Sequence, residues 1–343
     1  MNTGKCSNCG SPLKFNSTTG LVECKKCGSV QEVKISKDIN RHHIDIKANV
    51  IDNVSSEIVS KHCESCGAVF SQDVNSMSNV CDYCGASLVI DFDRYGGLMP
   101  DACIPFAFNP KEAANKFMQK IKKMPFVPSK LKKGLQSIIV DSLYIPVYSF
   151  DANVTSEYDG RIYRNETDSD GDSRRVYRVI KDTKKVVVKN VMLECSSKFT
   201  QAEFNEIKPY DTTQIRKFDK RYIMGYSVEN SNRNFNDIRK SAKELIDLRV
   251  KNNILSQYDY DGVDYLHIKS AYDEVNYSYL ILPTYKVTYE LNNKKYLNQI
   301  NGQTGKIGGK FPISAWKVLG FLLGLIGGMG LFALLILILT RGF

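Results

Sequence analysis

The 343-residue chain predicts an α+β fold, and three observations predict it. Two cysteine quartets open the sequence, alternating apolar runs with helical stretches between them fill its middle, and a long uncharged run lies near its end. The expected architecture is two small metal-pinned modules, a mainly antiparallel β-sheet body with packed helices, and one C-terminal membrane-spanning helix.

Cys6, Cys9, Cys24 and Cys27 recur 57 residues later as Cys63, Cys66, Cys81 and Cys84. Both quartets read C-x2-C-x14-C-x2-C, and every pair is followed by a glycine: Gly10, Gly28, Gly67 and Gly85. Four thiolates at this spacing make a closed tetrahedral site, so two structural Zn2+ ions are expected, in zinc ribbons over residues 1–35 and 61–92. A glycine there can take positive φ, which lets the backbone turn sharply beneath the metal. Disulfides would need an oxidising compartment and a secretion signal, and residues 1–30 show no apolar core of a signal peptide. Cys103 and Cys195 have no such partners and read as buried free thiols. Residues 36–60 read as a linker. His42, His43 and His62 could in principle bind metal, but beside eight thiolates they are not needed and are expected at the surface.

The body is expected over residues 104–310. Lys111 to Met124 reads as a helix with Ala114, Phe117, Met118 and Ile121 on one side. Leu143 to Phe150 alternates and continues to Tyr158 as a strand. Val176 to Ile180 and Lys185 to Glu194 follow, and Asp168 to Asp172 reads as a hairpin tip. Those acids resemble half of a calcium loop, but Val179 stands where the twelfth-position Glu should be. Asn234 to Leu255 is an amphipathic helix capped by Asn234, with Phe235, Ile238, Ala242, Leu245 and Leu248 on its apolar face and Arg239 on its polar side. Tyr277 to Glu290 and Lys295 to Ile300 are the last strands, closed by turn signals at Asn301-Gly302 and Thr304-Gly305. Leu143-Tyr-Ile-Pro-Val-Tyr echoes Leu280-Ile-Leu-Pro-Thr-Tyr, and proline inside an apolar strand predicts an edge or a bulge at Pro146 and Pro283.

Val318 to Thr340 is 23 residues without a charge, between Lys317 and Arg341. As a helix it would be roughly 34 Å long, enough for a hydrocarbon core of about 30 Å. Lys306, Lys310 and Lys317 flank its N-terminal side against one Arg beyond it, so the positive-inside bias leaves the N-terminal bulk in the cytoplasm of a single-pass, tail-anchored membrane protein. Trp316 fits an interfacial anchor. Gly320, Gly324 and Gly328 share one helix face, a stripe that suits self-association or is simply the glycine common in membrane helices.

The formal charge of +10 falls to roughly +5 once Arg341 is set aside and each Zn2+ with four thiolates is counted as −2. This suits a body facing an anionic leaflet. Residues 1–35 hold five Lys and two Glu, residues 61–92 hold one Lys and four acids, and neither contains Arg. A nucleic-acid reader needs an Arg/Lys footprint, so such binding is disfavoured, least so for the first ribbon with Lys5, Lys14, Lys25, Lys26 and Lys34. Between Lys111 and Lys133 lie eight Lys and one Glu, which is either a solvated basic face or a segment lying on anionic headgroups. No phosphate-binding loop, nucleophile elbow, metalloprotease helix or dinucleotide fingerprint occurs, and a closed zinc site offers no open position. The sequence argues against an enzyme.

Two C-x2-C-G ribbons, Ile104-Pro-Phe-Ala-Phe108, the Leu143–Tyr148 strand, the Asn301–Gly305 close and the C-terminal apolar segment together resemble a family of bacterial membrane proteins with TFIIB-type zinc ribbons. Members of that family are often labelled primosomal replication helicases, and some are encoded beside phage-shock protein A homologues. The resemblance implies metal-ligand roles for the ribbon cysteines and a place in the envelope-stress response. The helicase label does not carry over, because this chain has no nucleotide-binding motif. The expectation is a non-enzymatic adaptor or scaffold at the cytoplasmic membrane face that recruits cytoplasmic or membrane proteins, phage-shock components among them. A membrane-tethered nucleic-acid binder is the alternative, and a zinc-dependent redox sensor a third.

Overall fold

The computed structural model describes residues 6–33, 35–46, 58–63, 66–73, 78–81, 87–89, 98–134, 138–167, 169, 171–196, 199–229, 231 and 233–341. Within these, the side chains of 58–62, 70–73, 78–80, 87–89, 332, 334, 335 and 337–341 are outside the description. The first ribbon is the antiparallel sheet β1 (Leu13–Asn16), β2 (Leu21–Cys24) and β3 (Val30–Glu32). A short strand β4 (His42–His43) precedes the second ribbon, made of the hairpin β5 (Ile58–His62) and β6 (Val69–Asp73) and the hairpin β7 (Ser78–Val80) and β8 (Ser87–Val89). The body begins with β9 (Ala102–Cys103), α1 (Pro110–Lys123), α2 (Ser129–Lys133), β10 (Ile138–Thr167), β11 (Ser173–Glu194) and α3 (Gln201–Ile207). It continues with β12 (Arg216–Lys217), β13 (Ser227–Val228), α4 (Phe235–Leu255), β14 (Gly262–Leu291), β15 (Lys294–Asn301), β16 (Ile307–Gly309) and α5 (Ala315–Arg341). The fold is mixed α+β, and its large sheet is mainly antiparallel.

The echo between the two proline strands is a structural repeat. β10 and β14 pair antiparallel along most of their lengths, with Ile145 opposite Leu282 at the midpoint of the two echoed strings. Leu143 and Tyr144 pair in parallel with Ser227 and Val228 of β13, just as Leu280 and Ile281 pair in parallel with Ala102 and Cys103 of β9. Each short strand leads into a helix capped by asparagine, Asn109 on α1 and Asn234 on α4. On the far side, β11 meets β10 at Val147–Glu194 and β15 meets β14 at Thr284–Asn301. Two βαββ units are thus joined around a local twofold relation, which puts α1 and α4 on the same face of the sheet.

This geometry corrects the proline expectation. Pro146 lies opposite Ile281 and Pro283 opposite Tyr144, both inside the ladder and neither at a register shift. Each sits where its strand changes partner on the other side. The carbonyl of Pro146 accepts from Cys195 N at 3.0 Å and that of Pro283 from Gly302 N at 2.8 Å, while the preceding carbonyls of Tyr144 and Ile281 accept from Glu229 and Ile104. No ladder partner awaits the missing N–H, so an interior proline is tolerated.

Two helix faces also differ from expectation. In α1 the buried residues are Ala113, Phe117 and Ile121, with Ala114 only partly covered. Phe117 stacks toward Tyr289 and Phe311, and that contact sets the helix rotation. In α4 the buried stripe runs Phe235, Ile238, Ala242, Ile246, Val250 and Ile254, while Leu248 is 51% exposed. Arg239, expected on the polar side, is buried because its guanidinium donates to the carbonyl of Ile46. The middle strands are longer than the apolar runs indicated. β10 and β11 form one continuous hairpin whose tip spans the expected Asp168–Asp172 turn, with Asp168 and Asp170 themselves outside the described residues. β14 begins at Gly262, and its first half adds a third strand to this arm. Inward side chains such as Val154, Tyr158 and Ile162 pack under α4, and the opposite face of the arm stays open.

The α5 helix runs unbroken through the uncharged segment. Continuous description of its side chains stops at Leu331, and among the described residues no helix is long and apolar enough to cross a membrane.

Candidate metal centres

In the first ribbon the two cysteine pairs come from two tight turns, one before β1 and one between β2 and β3. Gly10 N donates to the carbonyl of Cys6 at 2.8 Å and Gly28 N to that of Cys24 at 2.9 Å. Both glycines hold positive φ, +69° and +73°, which a side chain rarely adopts. The four sulfurs lie within 4.8 Å of one another. Cys6 and Cys27 are 3.5 Å apart at Sγ, as are Cys9 and Cys24. A Zn–S bond of about 2.3 Å in a tetrahedron separates sulfurs by about 3.8 Å, so the donor set fits zinc in both type and spacing. Hydrogen bonding with Ser29, whose hydroxyl lies 3.6 Å from Cys6 Sγ, holds the Cys6 thiol down to about 6.

The second ribbon repeats the arrangement. Gly67, at φ +74°, donates to the carbonyl of Cys63 at 2.7 Å, and the sulfurs of Cys63, Cys66 and Cys81 lie within 4.8 Å of one another. Cys66 and Cys81 are 3.7 Å apart at Sγ. The fourth expected ligand, Cys84, lies outside the described residues. Both clusters can hold a metal ion through thiolates alone. His42 and His43 are exposed and belong to neither cluster, and the side chain of His62 is outside the description. Cys103 and Cys195 are buried and free, and burial pushes both thiols far above their ordinary range.

Sequence reasoning missed how the ribbons attach. Leu13, Phe15 and Val22 of the first ribbon share one apolar cluster with Tyr222, Met224 and Tyr226 of the body. Phe15 N donates to the carbonyl of Met224 at 3.0 Å, and Tyr226 Oη donates to that of Phe15 at 3.3 Å. Lys14 folds over the Tyr226 ring, and burial lowers its proton affinity. Arg221 donates to the carbonyl of Glu32 at 2.7 Å. The segment read as a linker also touches the body. β4 pairs with β14, His42 Nε2 lies 2.8 Å from buried Asp101, and Ile46 is buried under α4. β7 pairs with β13 at Ser78–Val228, so the second ribbon extends an edge of the main sheet. The alternation of Leu13, Phe15 and Val22 was the available signal, since a free-standing knuckle needs few large apolar residues.

A second polar cluster lies at the junction of the repeat. Glu194 is 1% exposed, and its carboxylate takes Ser196 N at 3.0 Å and Arg233 at 3.0 Å. Burial raises it to about 7 even though Arg233 pulls the other way.

No protein-family model matches the chain, and no solved structure matches it. It is similar to the uncharacterised protein YdjG of Bacillus subtilis (strain 168), at 27% identity over 348 residues and 98% of each chain.

Proposed function

We propose that this chain is a non-enzymatic adaptor at the cytoplasmic face of the bacterial membrane. In this reading two zinc ribbons and the sheet body recruit protein partners, envelope-stress components among them, and α5 holds the assembly to the bilayer. One observation carries it. Among the described residues, most apolar side chains of α5 beyond Phe321 are left uncovered: Ile326 is 68% and Met329 72% exposed, and a water-exposed helix of this composition is unfavourable unless lipid or protein covers it. Gly320, Gly324 and Gly328 also face open space, which leaves room for a second transmembrane helix. All-thiolate sites are closed, so the metal serves shape and not turnover. The open face of the β10–β11–β14 arm, carrying exposed Tyr177, Val179 and Val187, offers partners a surface.

The test compares the full chain with a variant lacking residues 315–343 in the native host. The protein and whatever co-purifies with it should leave the membrane fraction together on deletion. If the partners stay where they were, the adaptor reading is wrong. A salt-dependent shift of duplex DNA by the detergent-solubilised full chain would favour the tethered nucleic-acid binder instead.

A further inference from the structure

The lysine-rich stretch and the root of α5, almost 190 residues apart in sequence, meet in the fold. The loop between α1 and α2 packs on the first turns of α5. Ser314 N donates to the carbonyl of Phe126 at 2.8 Å, Lys317 Nζ donates to that of Val127 at 2.8 Å, and the rings of Phe126 and Phe321 meet edge to face at 5.4 Å. Phe321 already lies inside the uncharged run, so Phe126 sits at the level where that run begins.

The lysines around this loop divide into two groups. Lys116 and Lys120 turn back onto the body, Lys116 over the Phe108 ring and Lys120 to the carbonyl of Ile307. Lys122, Lys123, Lys130 and Lys133 are exposed beside the loop. The one acid of the stretch, Glu112, is committed to the α1 capping box with Asn109. Beside this cationic ledge, Ile313 is 70% and Trp316 82% exposed at the α5 root. Apolar and aromatic side chains next to exposed lysines, at the foot of an apolar helix, reproduce the chemistry of a headgroup layer over hydrocarbon.

We propose that the α1–α2 ledge is a binding surface for anionic phospholipid headgroups, with Phe126 and Trp316 seated at the top of the acyl layer and Lys122, Lys123, Lys130 and Lys133 among the phosphates. The proposal rests on the reading of α5 as a membrane anchor. Charge complementarity and continuity with α5 favour a lipid occupant over a soluble one, and each surface lysine favours an anionic leaflet by about fivefold.

The chain has a single tryptophan, Trp316, which makes the test direct. The full-length zinc-loaded protein is reconstituted in vesicles of phosphatidylglycerol and phosphatidylcholine, with brominated chains on one lipid or the other. Trp316 should be quenched more strongly when phosphatidylglycerol carries the bromine. The same preference should appear for a reporter moved to the loop in Phe126→Trp with Trp316→Phe. It should fall to parity in the Lys122→Gln, Lys123→Gln, Lys130→Gln, Lys133→Gln variant, which keeps Trp316 as its reporter. Equal quenching by both lipids in the wild type overturns the ledge and leaves the anchor standing. Absence of quenching by either, with release by carbonate, overturns the anchor itself. Equal quenching by both lipids together with binding of duplex DNA that is lost in the four-lysine variant would assign the ledge to nucleic acid and overturn the lipid proposal.

Discussion

Cys9 and Cys66 occupy equivalent places in their ribbons yet have different surroundings. Cys9 packs against the cluster that holds Phe15, Tyr222 and Tyr226, whereas Cys63 and Cys81 beside Cys66 form a small cluster of their own with Ala68. Cys9→Ser should therefore lower zinc content and also blunt the near-ultraviolet circular dichroism of the body tyrosines, while Cys66→Ser should lower zinc content alone; identical spectra for the two variants would contradict this. Glu194 makes a pH prediction. Its folded value of about 7 stands above its ordinary 4.5 because burial favours the neutral acid. That contribution is complete below about pH 4.5 and is lost as pH rises through 7, each tenfold change in proton affinity being worth about 1.4 kcal/mol. Glu194→Gln should gain in melting temperature relative to the parent between pH 5 and pH 8, and a flat difference would refute the assignment. At this scale the gathering of Cys6, Cys9, Cys24 and Cys27, and of Cys63, Cys66 and Cys81, was legible in sequence because the paired C-x2-C spacing brings thiols together. Arg239 was not, because its burial depends on the carbonyl of Ile46, brought to it by a distant segment.

Helices α1 and α4 both start from an asparagine whose side chain accepts a backbone N–H, from Glu112 in α1 and from Asn236 in α4. Asn109→Ala and Asn234→Ala should each cost about 1 kcal/mol in urea unfolding. The prolines make the opposite kind of prediction. With no N–H required at either position, Pro146→Ala and Pro283→Ala should each destabilise by less than about 1 kcal/mol, chiefly by loosening the unfolded chain; a loss of several kcal/mol would mean that ring packing matters more than the ladder. Both helices and the proline strands were readable from apolar periodicity. The first half of β14 was not, because Asp264, His267, Lys269, Asp273 and Glu274 break up its apolar signal. A strand in a half-open arm is held by its ladder to β10 more than by burial. The face of α4 shifted only in part: Leu245 still packs at the margin of the cluster, while Leu248 is exposed and the register of β10 and β11 beneath selects Ile246 and Val250.

Seen whole, the body is one βαββ unit used twice, and its two copies have diverged in what they face. The copy with α1 shares its core with the first ribbon and the approach to α5, and the copy with α4 covers the long arm. One apolar cluster includes Cys6 and Cys24, passes through Phe106, Tyr226 and Tyr285, and ends against Phe117 and Phe311. On the proposed zinc reading, stripping the metal with a chelator should release amide protection in β1–β3 and α1 together in hydrogen exchange, with the distal arm and α4 still protected; loss confined to the ribbon would show that the cluster does not transmit. This duplication was only hinted at by two hexapeptides, since the two copies keep the same ladder contacts with almost wholly different side chains. The shared core has a mechanical consequence. Among the described residues one packed cluster runs from the first cysteine knot to Phe311, just ahead of the foot of the apolar helix, so a displacement at either end is delivered to the other as a tilt.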